Sequence, residues 1–433
     1  VSATRRFSQP ILALVAFAVL ALAISACTVY KPGTFSVSQP AGIGSVRVHL
    51  ALCSATKEGA CIENTGEAEN QSLLAIAVPK GASAPGTITA APTSGGPAIV
   101  FSRNDQVAQA ISEASQGGEE PWPPAGTEGI GYLSNVFKEE NGVREWTVDA
   151  DFGLPPTADG APYAGPFPFS AFTGTRLVGE FAPGENAGPG DRPVDCFTTE
   201  SGEPPQEDDA ICEFVESGSF GTSDLKVGAP TTTARVYVGG NATLQFGFDF
   251  ASTATALPTF NVTAGSSLSG AALAVSNPTF TPAAPAPDTH RSSGSETVTV
   301  TVPSTAGPGL YDVTLTVKTD GGATLTQTGK VEVLQAKIKL GKVKLNKKKG
   351  TAVLSVGVPT AGTLTLSGKG LAKAQRKAKA AKTLKVTIKA KGKAKKKLGA
   401  TGKAKVKAKI VFKPENGAPV TKTKSIVLKK KLT

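Results

Sequence analysis

Val46, Val48 and Leu50 alternate with Arg47 and His49, a period of two that predicts a strand with one buried face. Residues 73–78 form a second apolar run. Trp146, Val148, Ala150 and Phe152 alternate with Thr147, Asp149 and Asp151 as a third strand. Between them, Ser102-Arg103-Asn104-Asp105 reads as a capping box, and Val107 and Ile111 fall on one face of the helix it opens. Further along, Leu244, Phe246, Phe248 and Phe250 share one face, as do Val298, Val300 and Val302. Tyr311, Val313, Leu315 and Val317 follow, then the turn Asp320-Gly321-Gly322 and a returning strand ending at Val331 and Val333.

The same period continues through the last hundred residues with lysine or threonine in the outward positions. Ile338/Leu340, Val343/Leu345, Val353/Val356/Val358, Leu364/Leu366, Leu384/Val386/Ile388, Val406/Ala408/Ile410/Phe412 and Ile426/Leu428 predict about seven short strands. Alternation of this kind buries one face and leaves the ammonium groups in water. Lysines on edge strands also block strand addition from neighbouring chains. The chain is therefore expected to be mainly β: tandem β-sandwich, immunoglobulin-like domains with one short helix in the N-terminal domain. The expected divisions are a signal peptide (1–26), a linker (27–44), a β-rich domain (45–218), a β-sandwich (219–335) and a lysine-rich β-domain (336–433).

Pro303-Ser304-Thr305-Ala306-Gly307-Pro308-Gly309-Leu310-Tyr311 resembles the corner before the penultimate strand of bacterial immunoglobulin-like domains. That resemblance implies a Tyr311 hydroxyl bonded back to the corner backbone. The lysine-rich region resembles C-terminal β-domains of exported proteins of high-GC actinobacteria, and the stretch 146–154 resembles their N-terminal β-rich units.

An export signal is expected at the N-terminus. Arg5 and Arg6 precede an unbroken apolar run over residues 11–24, and Val1 fits translation from a GUG codon in a bacterium. Ile24-Ser25-Ala26-Cys27 resembles the lipobox of bacterial lipoproteins, which implies lipidation at Cys27 and a membrane anchor without a spanning helix. Simple cleavage after Ala26, or an uncleaved signal anchor, are the rival outcomes. The remaining cysteines are Cys53, Cys61, Cys196 and Cys212. In an oxidising compartment the short-loop pairing Cys53–Cys61 and Cys196–Cys212 is expected of the three available. The spacings do not suit zinc, and neither a metal nor a cofactor is expected.

Charge changes the picture most. Of 46 basic and 34 acidic residues, 30 and one fall in residues 336–433, leaving 16 and 33 for residues 1–335. The overall +12 thus hides a domain of +29 attached to a body of −17. Such a split points to a polyanionic partner. The expected contact residues are Lys347, Lys348 and Lys349, then Lys391, Lys393, Lys395, Lys396 and Lys397, then Lys403, Lys405, Lys407 and Lys409. A further cluster, Lys429, Lys430 and Lys431, nearly ends the sequence. Flexible ammonium groups suit diffuse contact with anionic envelope polymers or lipid headgroups. Nucleic acid is disfavoured, because the region has one aromatic, Phe412, and one arginine, Arg376.

Catalysis has little to draw on. His49 and His290 are the only histidines, and no nucleophile elbow, zinc pair or phosphate loop occurs. Asp149 and Asp151 share a strand face, and Trp122 and Trp146 offer rings for sugar stacking. A carbohydrate-binding or hydrolytic site within 45–218 is therefore the alternative to a non-catalytic envelope protein. Glu203, Glu207, Asp208 and Asp209 lack the ligand spacing of a calcium loop.

Overall fold

The computed structural model describes residues 29–55, 69–92, 98–115, 121–135, 137–138, 145–177 and 211–432. Among them the chain is mainly β with two short helices, and its apolar side chains gather into three successive bodies.

The first body is one curled sheet. Its strands are β1 (Val29–Ser38), β2 (Ser45–Ala55), β3 (Glu69–Pro79), β4 (Thr87–Pro92), β5 (Ile99–Arg103), β6 (Thr127–Ser134), β7 (Phe137–Lys138), β8 (Glu145–Gly153), β9 (Phe167–Leu177) and β10 (Ile211–Phe220). They follow the order β1-β2-β8-β4-β5-β6-β3-β9-β10, with β7 beside β3. Val46, Val48, Leu50, Val148, Phe152 and Phe167 fill the interior, as their alternation predicts. Helix α1 (Asp105–Ser115) lies outside on β6 and β3, seating Val107 and Ile111 on Leu73, Ala75 and Ala77. Its cap is Asn104, not Ser102: the Asn104 side chain accepts the Gln106 N–H at 3.0 Å. The helix sits close because β6 carries Gly131, where a Cβ would stand 2.4 Å from Asn104 O and 2.7 Å from Ala108 N.

Two expectations for this region are corrected. Residues 29–38, read as linker, form β1 and pair with β2 from Val29↔Ala55 to Ser38↔Arg47. The expected disulfides are not borne out: among the described residues no cysteines stand at disulfide distance. Cys53 lies within β2, opposite Lys31 and Glu145, and Cys212 within β10, opposite Gly174. Both are ladder residues, of strands that are not neighbours; their expected partners Cys61 and Cys196 fall outside the described residues. Cys27 does as well.

The second body is a sandwich. Its strands are β11 (Ser223–Val227), β12 (Ala234–Tyr237), β13 (Asn241–Ser252), β14 (Phe260–Ser266), β15 (Ala272–Val275), β16 (Thr279–Phe280), β17 (Arg291–Thr301), β18 (Gly309–Thr319) and β19 (Thr324–Leu334). Sheets β11-β13-β17-β15 and β12-β19-β18-β14-β16 face each other across Leu244, Phe246, Phe250, Val298, Val300, Leu315 and Val331. The Tyr311 hydroxyl donates to Gly307 O at 3.1 Å, the corner bond that the resemblance implied.

The third body has β20 (Lys339–Asn346), β21 (Thr351–Val358), β22 (Gly362–Ser367), β23 (Ala374–Ala378), β24 (Lys382–Lys389), helix α2 (Lys393–Thr401), β25 (Lys403–Pro414) and β26 (Val420–Lys429). Sheets β20-β21-β24 and β23-β22-β25-β26 enclose a core of Val, Leu, Ile and Ala with Phe412 at its centre. The two strands expected around residue 340 are one strand with a bulge between Leu340 and Val343, while β23 and α2 were not foreseen.

The bodies are joined end to end by a device used twice. The Gln39 amide accepts the Ser223 N–H and donates to Ser223 O, both at 2.8 Å. At the other junction the Asn416 amide accepts the Asn241 N–H at 2.7 Å and donates to Asn241 O at 2.5 Å. Each amide presents a donor and an acceptor side by side, as a peptide group does, and so extends a ladder across a domain boundary. Ile43, from the expected linker, is buried in the second core, and Ala418 N–H donates to Val238 O.

Isosteric replacement tests these junctions. Gln39→Glu or Asn416→Asp keeps the shape but turns the donor into a second acceptor facing a carbonyl. Each should cost about 1–3 kcal/mol and broaden the distance distribution between spin labels on adjoining domains. A second prediction concerns pH. Tyr132 is fully buried, donates its hydroxyl to Pro85 O at 2.9 Å, and has its pKa pushed up to about 12 by that burial. The native state then holds this proton where the unfolded chain has released it. Stability from this group is complete below about pH 10 and declines as pH rises toward about 12. Phenolate absorbance of native protein should show one tyrosine titrating last, and Tyr132→Phe should remove that step.

Candidate polyanion-binding surface

The third body carries its consecutive lysine runs at one end. β25 begins at Lys403 and ends at Pro414, beside the junction with the second body, so residues 346–350, 390–403 and 429–432 share the opposite pole. Three lysine runs far apart in sequence meet there. Lys347, Lys348 and Lys349 form the β20–β21 turn, which is fixed by the Lys349 N–H to Asn346 Oδ1 at 3.0 Å. Lys391 follows β24 and donates its N–H to Gly370 O, while Lys393, Lys395, Lys396 and Lys397 ride on α2. Lys429, Lys430 and Lys431 close the group: Lys430 N–H donates to Gly402 O at 2.8 Å and Lys431 N–H to Lys347 O at 2.9 Å.

Helix α2 forms against its own electrostatics. Its first turns hold four lysines at the positive end of the helix dipole, and Lys393 and Lys397 are like charges at i,i+4. Tertiary contacts hold it. Leu398 is buried in the third core, and Gly402, with φ 66°, ends the helix by donating its N–H to Leu398 O. Sequence reading missed this helix because lysine alternates with alanine or glycine from Lys389 to Lys395, as it does with small residues in the strands. The glycines at 392 and 402 bracketing a run of good helix formers were the available signal.

From the pole, Lys403, Lys405, Lys407 and Lys409 run along the exposed face of β25, about 6.8 Å apart. Opposite them on β26 stand Lys429, Val427, Ser425 and Thr423. Among the described residues none of these lysines lies within ion-pair distance of an acid. The domain's one acid, Glu415, sits at the far end, in the turn that holds Asn416. Two open depressions mark the pole. One of about 530 Å³ is lined by Lys347, Thr401, Gly402, Lys403, Lys429, Lys430, Lys431 and Leu432. A smaller one of about 390 Å³ lies between Lys369, Lys391 and Lys393.

The residues named for the rival site in the first body are taken up in packing and ion pairs. Trp122 is buried and packs edge-on against Phe172 at 5.7 Å, and Trp146 is buried in the sheet interior. Asp149 and Asp151 face water on β8, engaged by β2: His49 Nδ1 lies 2.8 Å from Asp149, and Arg47 makes a bidentate pair with Asp151 at 2.7 and 2.8 Å. The Arg47 hydrogen bond holds the Asp151 carboxyl below the usual range. A general acid needs the opposite shift. His290 lies in the second body, in the left-handed region with φ 53°, and its N–H donates to Ala286 O. Among the described residues no cluster of His, Cys, Asp and Glu could hold a metal, and no helix is long and apolar enough to cross a membrane. Glu203, Glu207, Asp208 and Asp209 lie outside the described residues.

No family model and no curated protein matches the chain. Among solved structures it is similar to the periplasmic chaperone SfaE, at 12% identity over 48% of this chain and all of that one, with a TM-score of 0.18. It is similar to a structure named BspA_C_mut at 7% identity over 70% and 98%, TM-score 0.27. A tetra-tandem repeat from the extending region of a large adhesion protein matches at 10% identity over 93% and 74%, TM-score 0.25. At these scores the likenesses carry no functional inference.

Leu398→Ala should free α2. The loss of a buried leucine costs about 2–5 kcal/mol, and an isolated nine-residue helix has little stability of its own. Hydrogen exchange at the Lys396 and Gly402 amides should accelerate strongly while amides of β21 and β25 stay protected.

Proposed function

We propose that this chain is a non-catalytic exported protein of a bacterial envelope whose third domain associates with anionic envelope polymers. The observation that carries the reading is the convergence of three sequence-remote lysine runs on one pole, with the only acid of the domain at the other end. A surface that merely solubilised a sandwich would have no reason to concentrate like charge at one end, where each added lysine raises the repulsion felt by the others. Each ammonium near an anionic surface is worth on the order of 1 kcal/mol and is screened by salt.

Export rests on the apolar run over residues 11–24 and the lipobox-like Cys27. These features support a location at the outer face of the cytoplasmic membrane, in the cell wall, or free outside the cell. The first two bodies, net acidic, hold the basic pole away from themselves through the amide-locked junctions. Nucleic acid fits less well, since Phe412 is fully buried and offers no ring to a base.

The reading predicts that the purified full chain is retained on isolated cell wall at low salt and released as salt approaches about 1 M, where the Debye length falls to about 3 Å. Replacing Lys393, Lys395, Lys396 and Lys397 together by glutamine should shift release to lower salt. Indifference of the wild-type chain to cell wall at low salt would sink the proposal.

A further inference from the structure

Building on that reading, we infer that the larger depression at the pole is a discrete site for a phosphate group, distinct from the general lysine surface. Its walls come from three segments: Lys347 from the β20–β21 turn, Thr401 to Lys403 from the end of α2, and Lys429 to Leu432 from the chain's last strand and beyond. Two backbone hydrogen bonds, Lys430 N–H to Gly402 O and Lys431 N–H to Lys347 O, lock these segments in place. Gly402 is needed there: its φ is 66°, and a Cβ would come within 3.0 Å of Lys430 O. The depression is thus built by the fold, open to solvent and with a volume of about 530 Å³.

Its chemistry is narrow. The Thr401 hydroxyl is committed to the carbonyls of Lys397 and Lys403, both at 2.9 Å, and the Gly402 N–H to Leu398 O. What remains to meet a ligand are the ammonium groups of Lys347, Lys403, Lys429, Lys430 and Lys431, with Leu432 on the rim. Ammonium groups are point charges without the planar fork that matches a carboxylate. Selection therefore follows charge per volume. A phosphomonoester carries about −1.5 to −2 on three acceptor oxygens, against −1 on a carboxylate. Lys403 and Lys429 face each other across the β25–β26 ladder, so an anion seated between them also relieves a direct cross-strand repulsion. The phosphate could belong to a lipid whose headgroup is a phosphomonoester or to a soluble polymer with a terminal phosphate.

Calorimetric titration of the full chain with inorganic tripolyphosphate, and with citrate at matched ionic strength, tests the site. Tripolyphosphate should bind more tightly than citrate. Lys347→Ala with Lys430→Ala should weaken it at least about tenfold, given on the order of one tenfold step per one or two ammonium groups. Lys377→Ala with Lys382→Ala, which removes equal charge from the opposite end of the domain, should change it less than about threefold. Equal losses from the two pairs, or equal affinity for citrate, would overturn the site. Vesicles of phosphatidylcholine with and without phosphatidic acid then assign the source. Binding that depends on Lys347 and Lys430 points to the lipid headgroup; tripolyphosphate binding without vesicle binding points to a soluble polymer. Wild-type retention on cell wall with equal losses from the pairs removes only the pocket, whereas failure of the wild type on both cell wall and tripolyphosphate removes the polyanion reading as well.

Discussion

Everything the third domain does depends on an apolar core strong enough to hold a shell of like charge. Neighbouring lysines along β25 are about 6.8 Å apart, which in water gives a repulsion of about 0.6 kcal/mol per adjacent pair before screening. Against this stand Leu354, Val356, Leu366, Val386, Ile388, Val406, Ile410, Phe412 and Leu428, all but closed to solvent. Side chains of this kind contribute roughly 1.5–3 kcal/mol each on burial. The core therefore wins by a wide margin, provided that each strand keeps its register. A slip of one residue would put a column of ammonium groups inside, so the charge that weakens the domain also makes its register unambiguous.

The same constraint explains the shape of the lysine surface. Sheet faces can take lysine only in every second position, which gives the sparse column Lys403, Lys405, Lys407 and Lys409. Turns, helices and strand ends carry no such restriction, and there lysines run consecutively: Lys347 to Lys349, Lys395 to Lys397, Lys429 to Lys431. The polarity of the domain follows from which turns lie at which end. The turn at the junction is occupied by Asn416, whose amide must reach Asn241, and this end holds Glu415, with its lysines, such as Lys339, Lys377, Lys382 and Lys413, set singly rather than in runs.

Rigidity along the chain has a separate origin. Gln39 and Asn416 each clamp the N–H and C=O of one residue in the next body, so neither junction behaves as a free linker. Both clamps escape a reading of local pattern. Gln39 lies in a stretch of Pro, Gly and Ser that resembles a tether, and Asn416 in an ordinary turn. The strand β1 was missed for the same reason: Val29 to Ser38 contains Pro32 and Gly33, and its pairing with β2 carries a register shift just there.

Hydrophobic alternation alone determined the class of fold, most strands of the second and third bodies, the buried face of each, and the outward placement of Lys403 to Lys409. These follow from a period of two that any residue within a strand obeys, whatever its neighbours. The Tyr311 corner was legible too, because its partner Gly307 is four residues away. Contacts between distant segments decided the rest. They buried Trp122 and Trp146, set Asp149 and Asp151 against His49 and Arg47, and put Cys53 and Cys212 into separate strands. They also drew Lys347, Lys403 and Lys430 around one depression. A sequence states which residues carry charge; only the closing of one sheet on another states which charges become neighbours.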